Sequence, residues 1–246
     1  MKDKKKSFEL IFLLLQAILY VAFLTLDITG GSIRLSVGIK YSIIILCFCY
    51  ALLIGSACKS IVFYTSLLQA GLFFTLISDL FILILDYYFY GVLVFILVQQ
   101  LYSIRLIILR CQMTDKTEWG IAYAKRVVVQ VGIAAVVCLV LGLTGITLEG
   151  LLIASVLYFI SILFNTIMAI RLVHSNRKNR GFLLYAVGMA LFLLCDINVG
   201  LFNLTGFIAM PEKIYSVIYS FSSILMWTFY APSQLLIALS CSYSDN

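Results

Sequence analysis

Charge is scarce in this chain. Asp, Glu, Lys and Arg make up 11% of its 246 residues, against 63% hydrophobic. A soluble domain of this length needs charged side chains to cover its surface, so that class is excluded. Histidine is scarcer still. His174 stands alone, in the basic stretch RLVHSNRKNR, where nothing nearby would make it a base. A Ser-His-Asp set and an HExxH zinc site are therefore excluded, and there is no glycine loop to cradle a phosphate. The seven cysteines are dispersed. None has a spacing that suggests a metal, and Cys47 and Cys49, two apart, point to different helix faces. No metal or other cofactor is expected. The net charge of +6 lies in short loops between apolar runs, so no nucleic-acid partner is expected either.

Long apolar runs fill the rest. A membrane span needs about 20 apolar residues. Eight runs qualify: 8–26, 39–57, 62–85, 88–109, 127–146, 149–170, 182–204 and 214–238. The expected fold is all-α, a polytopic bundle of eight transmembrane helices forming one integral membrane domain over 1–246. The longest connection, 110–126, is expected to lie on the membrane surface with Trp119 at the headgroups. The first run follows a Lys cluster but lacks a small-residue cleavage site, so it is read as a retained helix. With the N-terminus in the cytoplasm, fourteen Lys and Arg fall with the inner loops and three, Arg34, Lys40 and Lys213, with the outer ones. A missed or extra helix would scramble that asymmetry, so both termini are expected to be cytoplasmic. The expected location is a bacterial cell membrane.

Two aspartates interrupt this pattern, Asp79 in FFTLISDLFILIL and Asp196 in ALFLLCDINVGLF. A carboxylate at that depth costs about 2.5–3.5 kcal/mol on insertion scales, which makes it a functional candidate. At 1.5 Å per residue, Asp79 lies roughly 9 Å and Asp196 roughly 12 Å from the outer ends of two co-directional helices, so the two are level. Polar residues at helical spacing give them company. The first span carries Glu9, Gln16, Tyr20 and Asp27; the third Thr75, Asp79 and Asp86; the sixth Tyr158, Ser161 and Asn165; the seventh Tyr185, Asp196, Gly200 and Asn203; the eighth Ser223, Trp227, Tyr230 and Gln234. Gln99 and Tyr102 share a face of the fourth span. Such stripes face one another rather than lipid, as interhelical hydrogen bonds or as the lining of a polar cavity. Pro232 leaves the Thr228 carbonyl without its helical donor and is expected to kink the last span.

Two carboxylates in one apolar site do not both stay ionised. One keeps its proton, and the pair offers a general acid and a general base. The same pair suits a proton-coupled transporter of a small solute, or it marks a non-catalytic lipid-binding protein. Composition does not choose among these.

Four segments resemble motifs of the YhhN family, which includes lysoplasmalogenases. These are LISDLFILIL around Asp79, GVLVFILVQQLYSIRL from Gly91 to Leu106, GMALFLLCDINVGLFNLTGF from Gly188 to Phe207, and WTFYAPSQLLIAL from Trp227 to Leu239. The sequence departs from the family pattern at Gln99, where many members have histidine, at Cys195, where serine is usual, and at Pro232 and Ser233. The resemblance implies hydrolysis of the vinyl-ether bond of a lysoplasmalogen drawn from the bilayer. For that reaction Asp79, with the more apolar neighbours, is expected as the acid, and Asp196, near Asn198 and Asn203, as the carboxylate that stays ionised. Gln99, Tyr102, Asn203, Trp227, Tyr230 and Gln234 are then the candidate substrate-binding residues, with Trp227 and Tyr230 placed to hold a cationic headgroup.

Overall fold

A computed structural model of the chain describes residues 2–55, 62–114, 118–203, 206 and 211–243. It contains eight long helices: α1 Lys2–Thr29, α2 Ile33–Gly55, α3 Val62–Asp79, α4 Tyr88–Met113, α5 Trp119–Leu143, α6 Gly150–Ser175, α7 Arg180–Phe202 and α8 Glu212–Leu239. Each is long and apolar enough to cross a membrane. A π-helical turn, Leu80–Ile84, follows α3, and a 3-10 turn, Ser240–Tyr243, follows α8. The expected span ends at 57 and 204, with Lys59, Lys116 and Phe207, lie outside the described residues.

The helices run longer than the apolar runs that announce them. The segment expected on the membrane surface, 110–126, is mostly helix: α4 continues to Met113 and α5 begins at Trp119. Exposed Arg110 and Lys125 carry their charge on long apolar stems, so a helix can include them at its ends. Arg105 and Arg126, counted with the inner loops, likewise sit within α4 and α5.

The bundle is polar within and apolar without. Gln16, Thr75, Asp79, Gln99, Arg105, Gln130, Asn165 and Gln234 are all buried. Ile11, Leu14, Ile18 and Val21 on α1, and Val128, Val136, Leu139 and Leu143 on α5, are exposed. An apolar surface of that extent is untenable in water and natural in hydrocarbon. The polar stripe of α1 is used residue by residue. Gln16 donates to the Ile43 carbonyl (3.1 Å), Tyr20 to the Thr228 carbonyl (3.1 Å), and Glu9 accepts from Tyr243 (2.9 Å). Asp27 pairs with Lys40 (2.8 Å) and accepts from Ser36. The Glu9–Tyr243 bond also puts the first part of α1 and the Ser240–Tyr243 turn at one end of the bundle.

Two glycines from the quoted motifs permit close helix approach. A Cβ on Gly91 would crowd Ile82, while Ser78 donates to the Gly91 carbonyl (2.6 Å), locking α3 against α4. A Cβ on Gly188 would meet the Ser233 carbonyl at 3.0 Å, where α7 packs along α8. Helix α8 runs through Pro232 without a break in its assigned helix.

Candidate functional site

Asp79 is the last residue of α3 and only 3% exposed. Immediately after it the helix widens: the Leu85 N–H bonds the Leu80 carbonyl, five residues back (3.1 Å). Such π turns recur at functional sites. The turn ends at Asp86, whose backbone is left-handed (φ 59°). Asp86 is therefore outside the helix and does not share a face with Thr75 and Asp79 as its spacing suggested. The carboxylate of Asp79 accepts a hydrogen bond from the Tyr230 hydroxyl of α8 (2.7 Å).

Asp196 lies on α7, half-buried. It accepts from the Tyr158 hydroxyl of α6 (2.8 Å). Each carboxylate is thus held through its Oδ2 by a phenol from another helix. Between the two phenols runs a set of touching rings. Tyr230 contacts Phe192 (centroids 5.3 Å apart), Phe192 contacts Phe95 (5.8 Å), and Phe95 contacts Tyr158 (5.6 Å). Both carboxylates occupy the end of the bundle where α3 finishes and α4 begins.

Trp227 stands edge-on to Tyr230 (5.1 Å) and meets Phe23 of α1 (6.2 Å). Its ring is already engaged by a cation from within the chain, the Lys40 Nζ at 5.1 Å, which is also ion-paired to Asp27. Of the residues singled out from the sequence, Asp79, Asp196, Trp227 and Tyr230 therefore gather in one region. The others are elsewhere. Asn203 is exposed at the end of α7, its side chain bonded to the Val199 carbonyl (2.8 Å).

Gln99 and Tyr102 lie further along α4, about 12 and 16 Å beyond Gly91 at 1.5 Å per residue. Asn165 donates to both the backbone and side-chain oxygens of Gln99 (each 2.8 Å). Asn165 in turn accepts from Ser103 (3.0 Å) and Arg126 (2.6 Å). Gln99 is thus part of an α4–α5–α6 hydrogen-bond network, with its Nε2 left unpaired. Gln234 donates to Ser233 (3.3 Å), and its Oε1 has no partner. Tyr158 belongs to the polar stripe of the sixth span, but its bond to Asp196 was not foreseen; nor was the approach of Lys40 to Trp227. Among the described residues no three His, Cys, Asp or Glu side chains converge as metal ligands.

The model of the YhhN family matches residues 35–241. The chain belongs to the YhhN family. The match spans α2 to α8, so it includes both carboxylates and both phenols of this YhhN protein. No curated protein and no solved structure matches it.

Proposed function

We propose that this YhhN protein is a membrane-embedded hydrolase that cleaves the vinyl-ether bond of a lysoplasmalogen. The products are a fatty aldehyde and a glycerophosphoethanolamine or glycerophosphocholine. The observation that carries the reading is the pair of phenol-held carboxylates, Asp79 with Tyr230 and Asp196 with Tyr158, at one end of the bundle. The family resemblance supplies the substrate.

The chemistry needs one proton donor and one proton acceptor. Asp79, the more enclosed carboxyl, gives its proton to the β-carbon of the vinyl ether. The double-bond electrons form the new C–H bond, and the α-carbon becomes an oxocarbenium ion. Asp196, half-buried, stabilises that cation and takes a proton from the water that adds to it. The resulting hemiacetal collapses to aldehyde and alcohol, and the proton returns to Asp79. One water is consumed and no redox step occurs. Each tyrosine occupies Oδ2, which leaves Oδ1 for the reacting groups. The substrate enters from the bilayer between helices. The Lys and Arg bias supports this end of the bundle lying in the outer half of the membrane.

Purified protein in detergent, incubated with lysoplasmalogens of both headgroups, should release aldehyde. Asp79→Asn and Asp196→Asn should each lower the rate by about 10²–10⁴-fold, the usual contribution of a general acid or base. A folded wild-type protein that releases no aldehyde would overturn the substrate. Full activity in either variant would overturn the assigned roles.

A further inference from the structure

The end of the bundle away from the carboxylates holds a second feature. Tyr64, Arg105, Leu109, Gln112, Met113, Asn179, Gly181 and Phe182 line a pocket of about 250 Å³. Three observations there point to one ligand chemistry. First, Arg105 is only 3% exposed, and its Nε has no hydrogen-bond partner. Its guanidinium lies over the Tyr185 ring (4.5 Å), and the single ion pair among the described residues is Lys40–Asp27. A buried guanidinium ordinarily has an anion beside it. Second, the pocket includes the start of α7, a helix of 23 residues capped by Asn179, which accepts from the Phe182 N–H (3.0 Å). The first turn of a helix presents N–H groups and a partial positive charge to an anion. Third, the pocket's flanks are basic: Arg110 follows Leu109, and Arg180 lies between Asn179 and Gly181. Of the carboxylates described at this end, Glu9 is engaged by Tyr243 and Glu118 is exposed at the start of α5.

We propose that this pocket binds a phosphate group, carried by a lipid headgroup or free in solution, with Arg105 and the α7 N-terminus as its ligands. The site is separate from the carboxylate pair. Gly91, bonded through its carbonyl to Ser78 beside Asp79, precedes Arg105 by about 20 Å along α4. A glycerol backbone a few bonds long cannot span that, so a phosphate here belongs to a second molecule and not to the lipid being cut. The inference stands whether or not the carboxylates hydrolyse an ether.

The test uses the full chain in a neutral detergent, with thermal unfolding followed during two titrations. One adds sodium phosphate against sodium chloride of equal ionic strength. The other adds dioctanoyl phosphatidic acid against dioctanoylglycerol, which has the same chains and no phosphate. At least one phosphate source should stabilise the wild type beyond its control. Phosphate alone identifies a free anion as the ligand; phosphatidic acid alone identifies a lipid headgroup. Arg105→Gln should weaken that binding about tenfold or more, the usual loss for a charge-assisted hydrogen bond. Arg110→Gln, on the exposed flank, should bind within a factor of two or three of wild type. Gln112→Glu changes an exposed lining residue, so folding is preserved, and its added negative charge should weaken binding severalfold. Stabilisation by neither source beyond its control would overturn the proposal. So would wild-type binding by a folded Arg105→Gln protein, or, if that variant does not fold, wild-type binding by Gln112→Glu.

Discussion

The Tyr20 hydroxyl of α1 donates to the Thr228 carbonyl of α8 at 3.1 Å. That carbonyl is the one Pro232, four residues on, cannot serve, because proline has no N–H. A side chain from the first helix therefore supplies the hydrogen bond that the last helix gives up, and the proline is tolerated next to Tyr230 and Asp79. Tyr20→Phe should cost about 0.5–1.5 kcal/mol, the net worth of one partly buried hydrogen bond. In a Pro232→Ala background the helix has its own donor, and the same change should cost markedly less. Unfolding midpoints of the four proteins in one detergent check this. Additive costs would show that the two residues are not coupled.

Removing the phenols should separate positioning from stability at the carboxylates. Tyr230→Phe and Tyr158→Phe keep the ring contacts with Phe192 and Phe95 and delete only the bonds to Asp79 and Asp196. Each should lower aldehyde release by about 10-fold or more, through loss of the hydrogen bond that holds the carboxyl group in place. Size-exclusion chromatography checks that each variant remains folded. Tyr102→Phe, on α4 and away from both carboxylates, should leave the rate within a factor of two or three. A loss at Tyr102 as large as at Tyr230 would mean that the reacting bond sits deeper in the bundle.

Some of this was legible in the sequence and some was not, for identifiable reasons. The eight helices follow from apolar runs too long for a soluble core. The α1 stripe was legible because steps of 7, 4 and 7 keep Glu9, Gln16, Tyr20 and Asp27 on one face. Every one of them meets α2, α8 or the terminal turn. Periodicity names a face, however, and not the neighbour it meets. So Tyr158 could be placed on a polar stripe without being matched to Asp196, and Lys40 looked like an outer charge rather than a cation against Trp227. Asp86 was misplaced because a π turn shifts the register after Asp79, and a π turn carries no residue signature. The segment 110–126 was read as a connection because arginines and a tryptophan mark membrane boundaries; α4 and α5 run further into it than the apolar runs do.

The contact between α7 and α8 should be intolerant at one glycine and indifferent at another. Gly188→Ala places a methyl 3.0 Å from the Ser233 carbonyl and 2.9 Å from Ile237 Cγ1. Relieving that overlap moves backbone, at a cost of about 1–3 kcal/mol. Gly200, on the same helix, has nothing within 4 Å of an added Cβ. Gly200→Ala should be neutral or stabilise by up to about 1 kcal/mol, since alanine is the better helix former. Thermal unfolding in detergent reads both. Equal effects at the two sites would mean that α7 and α8 do not pack as closely as the Gly188 contact requires.

Membrane orientation gives the remaining prediction. The bias of Lys and Arg predicts the α1–α2 turn outside the cell and the α6–α7 turn inside. Ser32 and Ser175 report on the two sides, because each is exposed and lies at the corresponding turn. Ser32→Cys should react with a membrane-impermeant maleimide on intact cells, beyond the background of the chain's own cysteines. Ser175→Cys should react only after the membrane is opened. The reverse pattern would invert the protein, carry Asp79 and Asp196 to the cytoplasmic half, and move the proposed phosphate pocket to the outer leaflet. The lipid cut and the phosphate bound would then come from opposite leaflets to those assigned here.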